Sequence, residues 1–442
     1  MPTWSLPRSL TDLLTGFRGC FTAPTFRTFT ALLVGLFAQP GQRTVTGMLV
    51  GAGVSGRWHH SRAYRFFAAA RWSADQAGLV VLGLIVAWLL PAREPLLLVI
   101  DDSLFKRSGR KVFGAAWHYD ATAPGRRRVA WGNNWVVLGV VAQVPCLPHR
   151  QMCLPVLARL WHPKQQPQRT KLVLARELVE LVAAHLPNRT IHLVGDAAYA
   201  GSTLRGLPGR VTITTRLRAD AALYGPPPAR TPGQRGRPRL KGDRLPELIV
   251  WAALVATSWQ TATVACYGRR KQLELTSRIC LWYAVWHTQP VRVVLARTPG
   301  ASDGYDLALV STDLDASPAE LLERYATRWS IEQAFLDARH VLGTGQARNR
   351  TRHAVQRTVP FGLLAMSLLI IWYTRHGQPA ADVAAHRARA PWYRTKQAPS
   401  LADMLVALRR ELLAAQYLPS RLVGPTLEEL LTAQVSWPLP AA

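Results

Sequence analysis

Asp101, Asp196 and Glu332 occupy segments that can hold carboxylates still. Asp101 closes the apolar run Leu96–Ile100, Asp196 closes Ile191–Gly195, and Glu332 falls inside a helical pattern. An Asp at the carboxyl end of a buried strand points into the crevice where α/β sheets take ligands. Carboxylates that converge without a partner cation suit hard divalent cations, and a two-metal site needs several of them. Two strand-end Asp residues and a later helical Glu therefore suggest metal-dependent cleavage of phosphodiesters. Strands ending in Asp are common, so the Asp pair alone does not decide the matter. Asp102 rivals Asp101 as the first ligand. Successive strand side chains point to opposite faces, so both cannot serve equally.

The spacing predicts one helix over Ser317–Leu342. Ser317 is its N-cap, Pro318 takes the first helical position, and Glu320 completes a capping box. At about 100° per residue, Tyr325, Arg328, Glu332 and Arg339 fall within an arc of roughly 60°. Leu321, Leu322, Trp329, Phe335 and Leu336 supply the apolar contact. A phenol, two guanidiniums and a carboxylate in one row could be an exposed stripe with an Arg328–Glu332 pair, worth only a few tenths of a kcal/mol. Joined to the two strand-end Asp residues, the row reads instead as part of the site.

On these residues the chain resembles the DDE transposases of bacterial insertion sequences. Tyr325-x2-Arg328-x3-Glu332-x6-Arg339 is similar to their tyrosine–arginine–glutamate–lysine signature. Asp101-Asp102-Ser103 resembles the Asp-x-Ser/Thr stretch of their first catalytic block, which favours Asp101 over Asp102. Gly195-Asp196-Ala197-Ala198-Tyr199 resembles the second block. Arg339 stands where the family carries Lys; both cations can hold a phosphate, one as a planar fork and the other as a point charge. The resemblance covers roughly residues 25 to 375. It implies two Mg²⁺ ions (Mn²⁺ can substitute) bridged by Asp101, Asp196 and Glu332, with Tyr325, Arg328 and Arg339 on DNA phosphates. It also implies cleavage of transposon ends, attack of the new 3′-OH on target DNA, and a homodimer on paired ends. Two other readings stay open: a DNA-binding regulator whose core has lost activity, and a nuclease that cuts without strand transfer.

Composition fits a polyanionic partner. The 54 Lys and Arg against 26 Asp and Glu give a net charge of +28, which attracts double-stranded DNA in a salt-dependent way. Five scattered cysteines without C-x-x-C spacing argue against a zinc site or a disulfide framework and suit a reducing cytoplasm. The apolar runs Ala77–Leu90 and Val359–Tyr373 fall short of the roughly 20 residues a membrane span needs and read as buried core helices. The expectation is a soluble protein without a signal peptide.

The expected fold class is α/β: a ribonuclease H-like core, a mixed five-stranded sheet flanked by helices, with an N-terminal helical domain and a strand-rich insertion. Residues 1–94 read as helices over Phe26–Phe37, Thr44–Val54, His59–Arg71 and Ala74–Leu90. Arg43, Arg57, His59, His60, Arg62, Arg65 and Arg71 give them a basic face that suits DNA. Residues 95–218 carry the first part of the core. The Asp101 strand, Val112–Tyr119 and Trp135–Val144 suit an antiparallel meander, followed by a helix from about Lys171 to His185 and strands at Asp196 and Val211–Thr215. Lys106 and Lys111 either touch DNA or are simply solvated. Residues 219–300 begin with a Pro/Gly/Arg loop, where Arg235-Gly236-Arg237-Pro238 resembles an AT-hook whose arginines enter a narrow minor groove. β-rich segments follow at Leu248–Cys266, Leu273–Val285 and Val291–Leu295. Residues 301–375 bring the last strand, Asp306–Thr312, and the Glu332 helix. Residues 376–442 hold a loop or short helix and an amphipathic helix, Leu401–Gln416, with Arg409 and Arg410 exposed.

Overall fold

A computed structural model describes residues 6–417 except 121–122, 124–127, 149, 165–166, 231–235, 255–256 and 302–303. Arg235 and most of the basic turn at 124–128 lie outside the described residues.

Five helices come first: α1 (Arg8–Thr15), α2 (Ala23–Ala38), α3 (Val45–Gly51), α4 (Ser61–Ala68) and α5 (Ala74–Trp88). The strand β1 (Leu96–Lys106) is followed by β2 (Ala116–Tyr119), β3 (Val129–Gln143) and β4 (Gln151–Trp161). Its apolar run is buried because β3 pairs with it antiparallel on one edge and β5 (Ile191–Gly195) pairs parallel on the other. The helix α6 (Lys171–His185) connects β4 to β5, and β6 (Val211–Arg216) extends the parallel ladder. The strand β1 does not end at Asp101. The ladder to β5 stops at Ile100 opposite Gly195, but β3 continues to offer Trp135 to Gly132 as partners for Ser103 to Lys106.

The meander also differs from expectation. The strand after β1 in the chain, β2, is short and lies on the far edge of β3, which it shares with β4. Sequence pattern hid β4 because Pro155 interrupts it. The ladder skips one residue there, from Leu138 opposite Leu157 to Gly139 opposite Pro155. On an edge strand a proline's missing N–H costs little.

The insertion joins the same sheet. The helix α7 (Leu248–Ala253) occupies the start of what was expected to be strand, and is followed by β7 (Gln260–Cys266) and β8 (Arg269–Cys280). Tyr267 and Gly268, both at positive φ, form the two-residue turn between them. After α8 (Tyr283–Trp286), β9 (Val291–Arg297) and β10 (Leu307–Ser311) complete the order β2-β3-β1-β5-β6-β10-β9-β8-β7, with β4 on β3. The described residues thus form one continuous sheet of ten strands where five with a separate insertion were expected.

The predicted Ser317–Leu342 helix is two helices, α9 (Pro318–Ala326) and α10 (Trp329–His340). The capping box at Ser317 and Glu320 is present. Between the helices the bonds tighten to i→i−3: Arg328 N to Tyr325 O at 3.0 Å, Ser330 N to Thr327 O at 2.9 Å and Ile331 N to Arg328 O at 3.1 Å.

The long helix α11 (Arg352–His376) follows, then α12 (Pro379–Arg389) and α13 (Leu401–Tyr417). By length and composition α11 could cross a membrane, but 89% of its most apolar stretch is buried inside the protein. The N-terminal helices pack around it: Phe361 meets Phe29, Phe66 and Phe67 edge to face. One apolar cluster therefore runs from Leu10 through the sheet to Leu412. Several arginines expected on surfaces are inside. Arg43 donates to Leu36 O, and Arg409 to Phe37 O and Gln39 O; each is about 5% exposed. Arg410, by contrast, is exposed as expected and pairs with Asp382.

Two predictions follow from this packing. A Cβ on Gly35 would lie 1.7 Å from Met48 O, where α2 crosses α3. Gly35→Ala should lower unfolding free energy by about 1–3 kcal/mol in urea titrations, although Ala ordinarily stabilises a helix interior. Burial alone would raise the Asp403 carboxyl, but Lys396, the Ser400 amide and hydroxyl, and His386 hold it below the ordinary range. A depressed folded pKa gives stability that is present at neutral pH and lost as pH falls below about 4. Asp403→Asn should therefore destabilise at pH 7, and the difference from wild type should shrink in thermal melts under acid.

Candidate active site

The site begins with the β1–β5 ladder. Because Ile100 and Gly195 are its last pair, the next residues, Asp101 within β1 and Asp196 just past β5, follow side by side. Asp196 uses one oxygen to cap a short 3₁₀ turn, accepting from Ala198 N at 2.9 Å. Burial, and then the Asp196 charge, push the Asp101 carboxyl up to about 7, against the lowering effect of the Asp102 amide and Arg328. Two carboxylates this close, one mostly buried, are a poor arrangement unless a cation joins them.

Arg328 sits against this pair. Its Nη1 donates to Asp101 Oδ2 at 3.0 Å, and its Nη2 lies 2.8 Å from Glu332 Oε1. The side chain of Glu332 is about one-third exposed and that of Asp101 about 15% exposed. Tyr325 is buried beside Arg328, and burial raises its phenol. The tightened turn at Thr327–Ile331 falls at Arg328, and from there one guanidinium reaches both carboxylates.

The remaining expected residues lie as follows. Asp102 points to the opposite face, where Lys171 Nζ approaches at 2.6 Å and the Tyr199 hydroxyl at 3.5 Å. Arg339 does not stand at the mouth of the site: it donates to Ser103 Oγ and Leu104 O and lies over Phe105. Ser103 shares the face of Asp101, so Arg339 braces the strand two residues beyond it. Arg237 is exposed on its loop, and Arg235 lies outside the described residues.

Sequence reasoning missed Lys171 and Tyr199. A signal existed for the first. A Lys in the first helical position, directly after the Thr170 cap, opposes the helix dipole and calls for a nearby anion. Tyr199 carried none, since its burial against the Asp cluster depends on the 3₁₀ turn after β5. Asp313, just past β10, is tied up, accepting from Arg324 at 2.7 Å.

The residues present suit hard divalent cations in donor type and in the crowding of Asp101 by Asp196. Among the described residues, however, no three potential ligands converge as they stand. Arg328 occupies the interval between Asp101 and Glu332, so cation binding by all three carboxylates requires that ion pair to open.

A mixed α/β sheet thus sets Asp101 and Asp196 side by side at the end of a parallel ladder, with Glu332 held on a helix through Arg328. A family model described as DDE superfamily endonuclease matches residues 16–275, more than half of the chain, and the chain belongs to that family. The superfamily implies a ribonuclease H-like core, and its enzymes generally use divalent metal ions and act on DNA. The match includes Asp101, Asp102 and Asp196 and ends before Glu332. A search of curated proteins finds no match.

The geometry predicts a coupled titration. With divalent cations removed, carbon-13 NMR should show the Asp101 carboxyl titrating near 7. Asp196→Asn should lower that value and Arg328→Ala should raise it. Because cations take the deprotonated carboxylate, Mg²⁺ affinity should rise with pH through this range. An Asp101 titration unmoved by Asp196→Asn would mean that the two charges do not meet.

Proposed function

We propose that the protein is a DNA transposase of the cut-and-paste type, cleaving transposon ends and transferring the 3′-OH to target DNA. The observation that carries this reading is the juxtaposition of Asp101 and Asp196 at the end of the parallel ladder, with Arg328 and Glu332 held over them. Asp101, Asp196 and Glu332 are the proposed ligands for Mg²⁺, with Mn²⁺ as a substitute. Two such ions, when bound, activate the attacking water or 3′-hydroxyl and stabilise the leaving oxygen. Arg328 neutralises Asp101 and Glu332 beforehand and afterwards holds a phosphate oxygen, with Tyr325 beside it. Lys171 keeps Asp102 turned away, leaving Asp101 as the first ligand. Arg339 fixes the β1 segment that carries Asp101, which narrows its expected phosphate role to one of positioning. A homodimer on paired ends, exposed Arg57, Arg65 and Arg71 on DNA, and Arg235 and Arg237 in a minor groove belong to the same reading. So do domain limits at 1–94, 95–218, 219–300, 301–375 and 376–442.

The test supplies the coding region's flanking terminal repeats on a plasmid with Mg²⁺ and scores excision and integration. Asp101→Ala, Asp196→Ala and Glu332→Ala should each reduce both to background while leaving DNA binding. Full excision by Asp196→Ala would refute the assignment. Cleavage without joined products would favour a nuclease. Binding without cleavage by the wild-type protein would favour a regulator.

A further inference from the structure

Beyond the carboxylates, β1 runs on from Asp101 to Lys106, a rise of about 17 Å for five residues. There it meets the connection between α10 and α11, and a groove of about 350 Å³ opens. Its chemistry is one-sided. Lys106, Arg107, Ser108, Arg348, Asn349 and Arg350 line it, and no Asp or Glu does; the carboxylate of Asp120 pairs with Lys106 at 2.9 Å from outside the lining.

Two of these side chains carry unmet donors. Asn349 is 5% exposed, yet its Nδ2 has no hydrogen-bond partner. Arg107 spends Nε on Asn133 Oδ1 and Nη1 on Gly345 O and Ala347 O, which leaves its buried Nη2 without an acceptor. A buried donor without an acceptor costs free energy unless a ligand supplies one. The helix α11 also begins at Arg352, two residues past Arg350. Its N-cap Thr351 makes no side-chain cap bond, and its first turn holds no acid. The N-terminus of a 25-residue helix just past the lining therefore adds its own partial positive charge.

We propose that this groove is a phosphate subsite for DNA, gripping the backbone some five base pairs of axial rise from the cleavage centre. It rests on the reading of the protein as a DNA-cutting enzyme. Asn349 and Arg107 form the floor, and the exposed Arg348 and Arg350 close on the phosphate from the connection above.

The experiment measures binding of a 30-base-pair duplex against salt by fluorescence anisotropy, using the full chain. The wild type is compared with Arg348→Ala/Arg350→Ala and with a control pair on another exposed surface, Arg389→Ala/Arg394→Ala. The groove pair should flatten the log–log salt slope by about two units and weaken binding roughly tenfold at 0.1 M salt, well beyond the control. Asn349→Asp, which puts a carboxylate in the floor, should bind more weakly than Asn349→Ala at matched melting temperature. Equal slopes for the two arginine pairs, or wild-type affinity in Asn349→Asp, would overturn the subsite. If the slopes change but the wild-type protein never cuts DNA, the subsite stands and the transposase reading falls. If it cuts and the slopes match, the reverse holds.

Discussion

The parallel pairing of β1 with β5 forces two carboxylates together, and most of the site is arranged to live with that. Neither Asp could move away without breaking the ladder that buries Leu96 to Ile100. The protein meets the charge through Arg328, which stands at the break between α9 and α10 where the chain tightens to i→i−3 bonds. The same guanidinium holds Glu332. Asp101, its carboxyl pushed up by burial and by the Asp196 charge, thus faces a resident cation on one side and a like charge on the other. Such a balance is easily shifted by a divalent ion or by a phosphate that competes for the arginine.

The two consecutive Asp residues illustrate how a strand sorts identical side chains. Alternation sends Asp101 toward the helix face and Asp102 toward α6, where Lys171 neutralises it at an otherwise unfavourable helix position. A carboxylate with a dedicated ammonium is a structural group, while one crowded by a second carboxylate is available for chemistry. Arg339 extends this logic along β1, tying Ser103 and Leu104 to α10 so that the strand cannot shift beneath the site.

The basic composition has a second meaning in the fold. Arg43, Arg107, Arg357 and Arg409 each donate to main-chain carbonyls from buried or half-buried positions. The planar guanidinium can satisfy several carbonyls at helix ends and loop turns while its stem packs with the core. Part of the +28 charge therefore also has a structural use, on guanidiniums that are committed to carbonyls.

The elements that carry Asp101, Asp196 and Glu332, the capping box, the short N-terminal helices and the buried character of α11 were legible in sequence, because each depends on local periodicity or on residue type at an element's end. The length of β1, the place of β2, the existence of β4 and the break between α9 and α10 were not. A strand's extent depends on how far its neighbours run, Pro155 disguised a strand that pairing tolerates, and the break serves contacts more than two hundred residues away in the chain. Sequence by itself determined which side chains could ligate a cation and which segments would carry them. Only the tertiary structure decided which of the adjacent Asp residues pairs with Lys171, that Arg328 stands between Asp101 and Glu332, and that Arg339 holds a strand. Those outcomes follow from register and packing between distant segments, which no local pattern encodes.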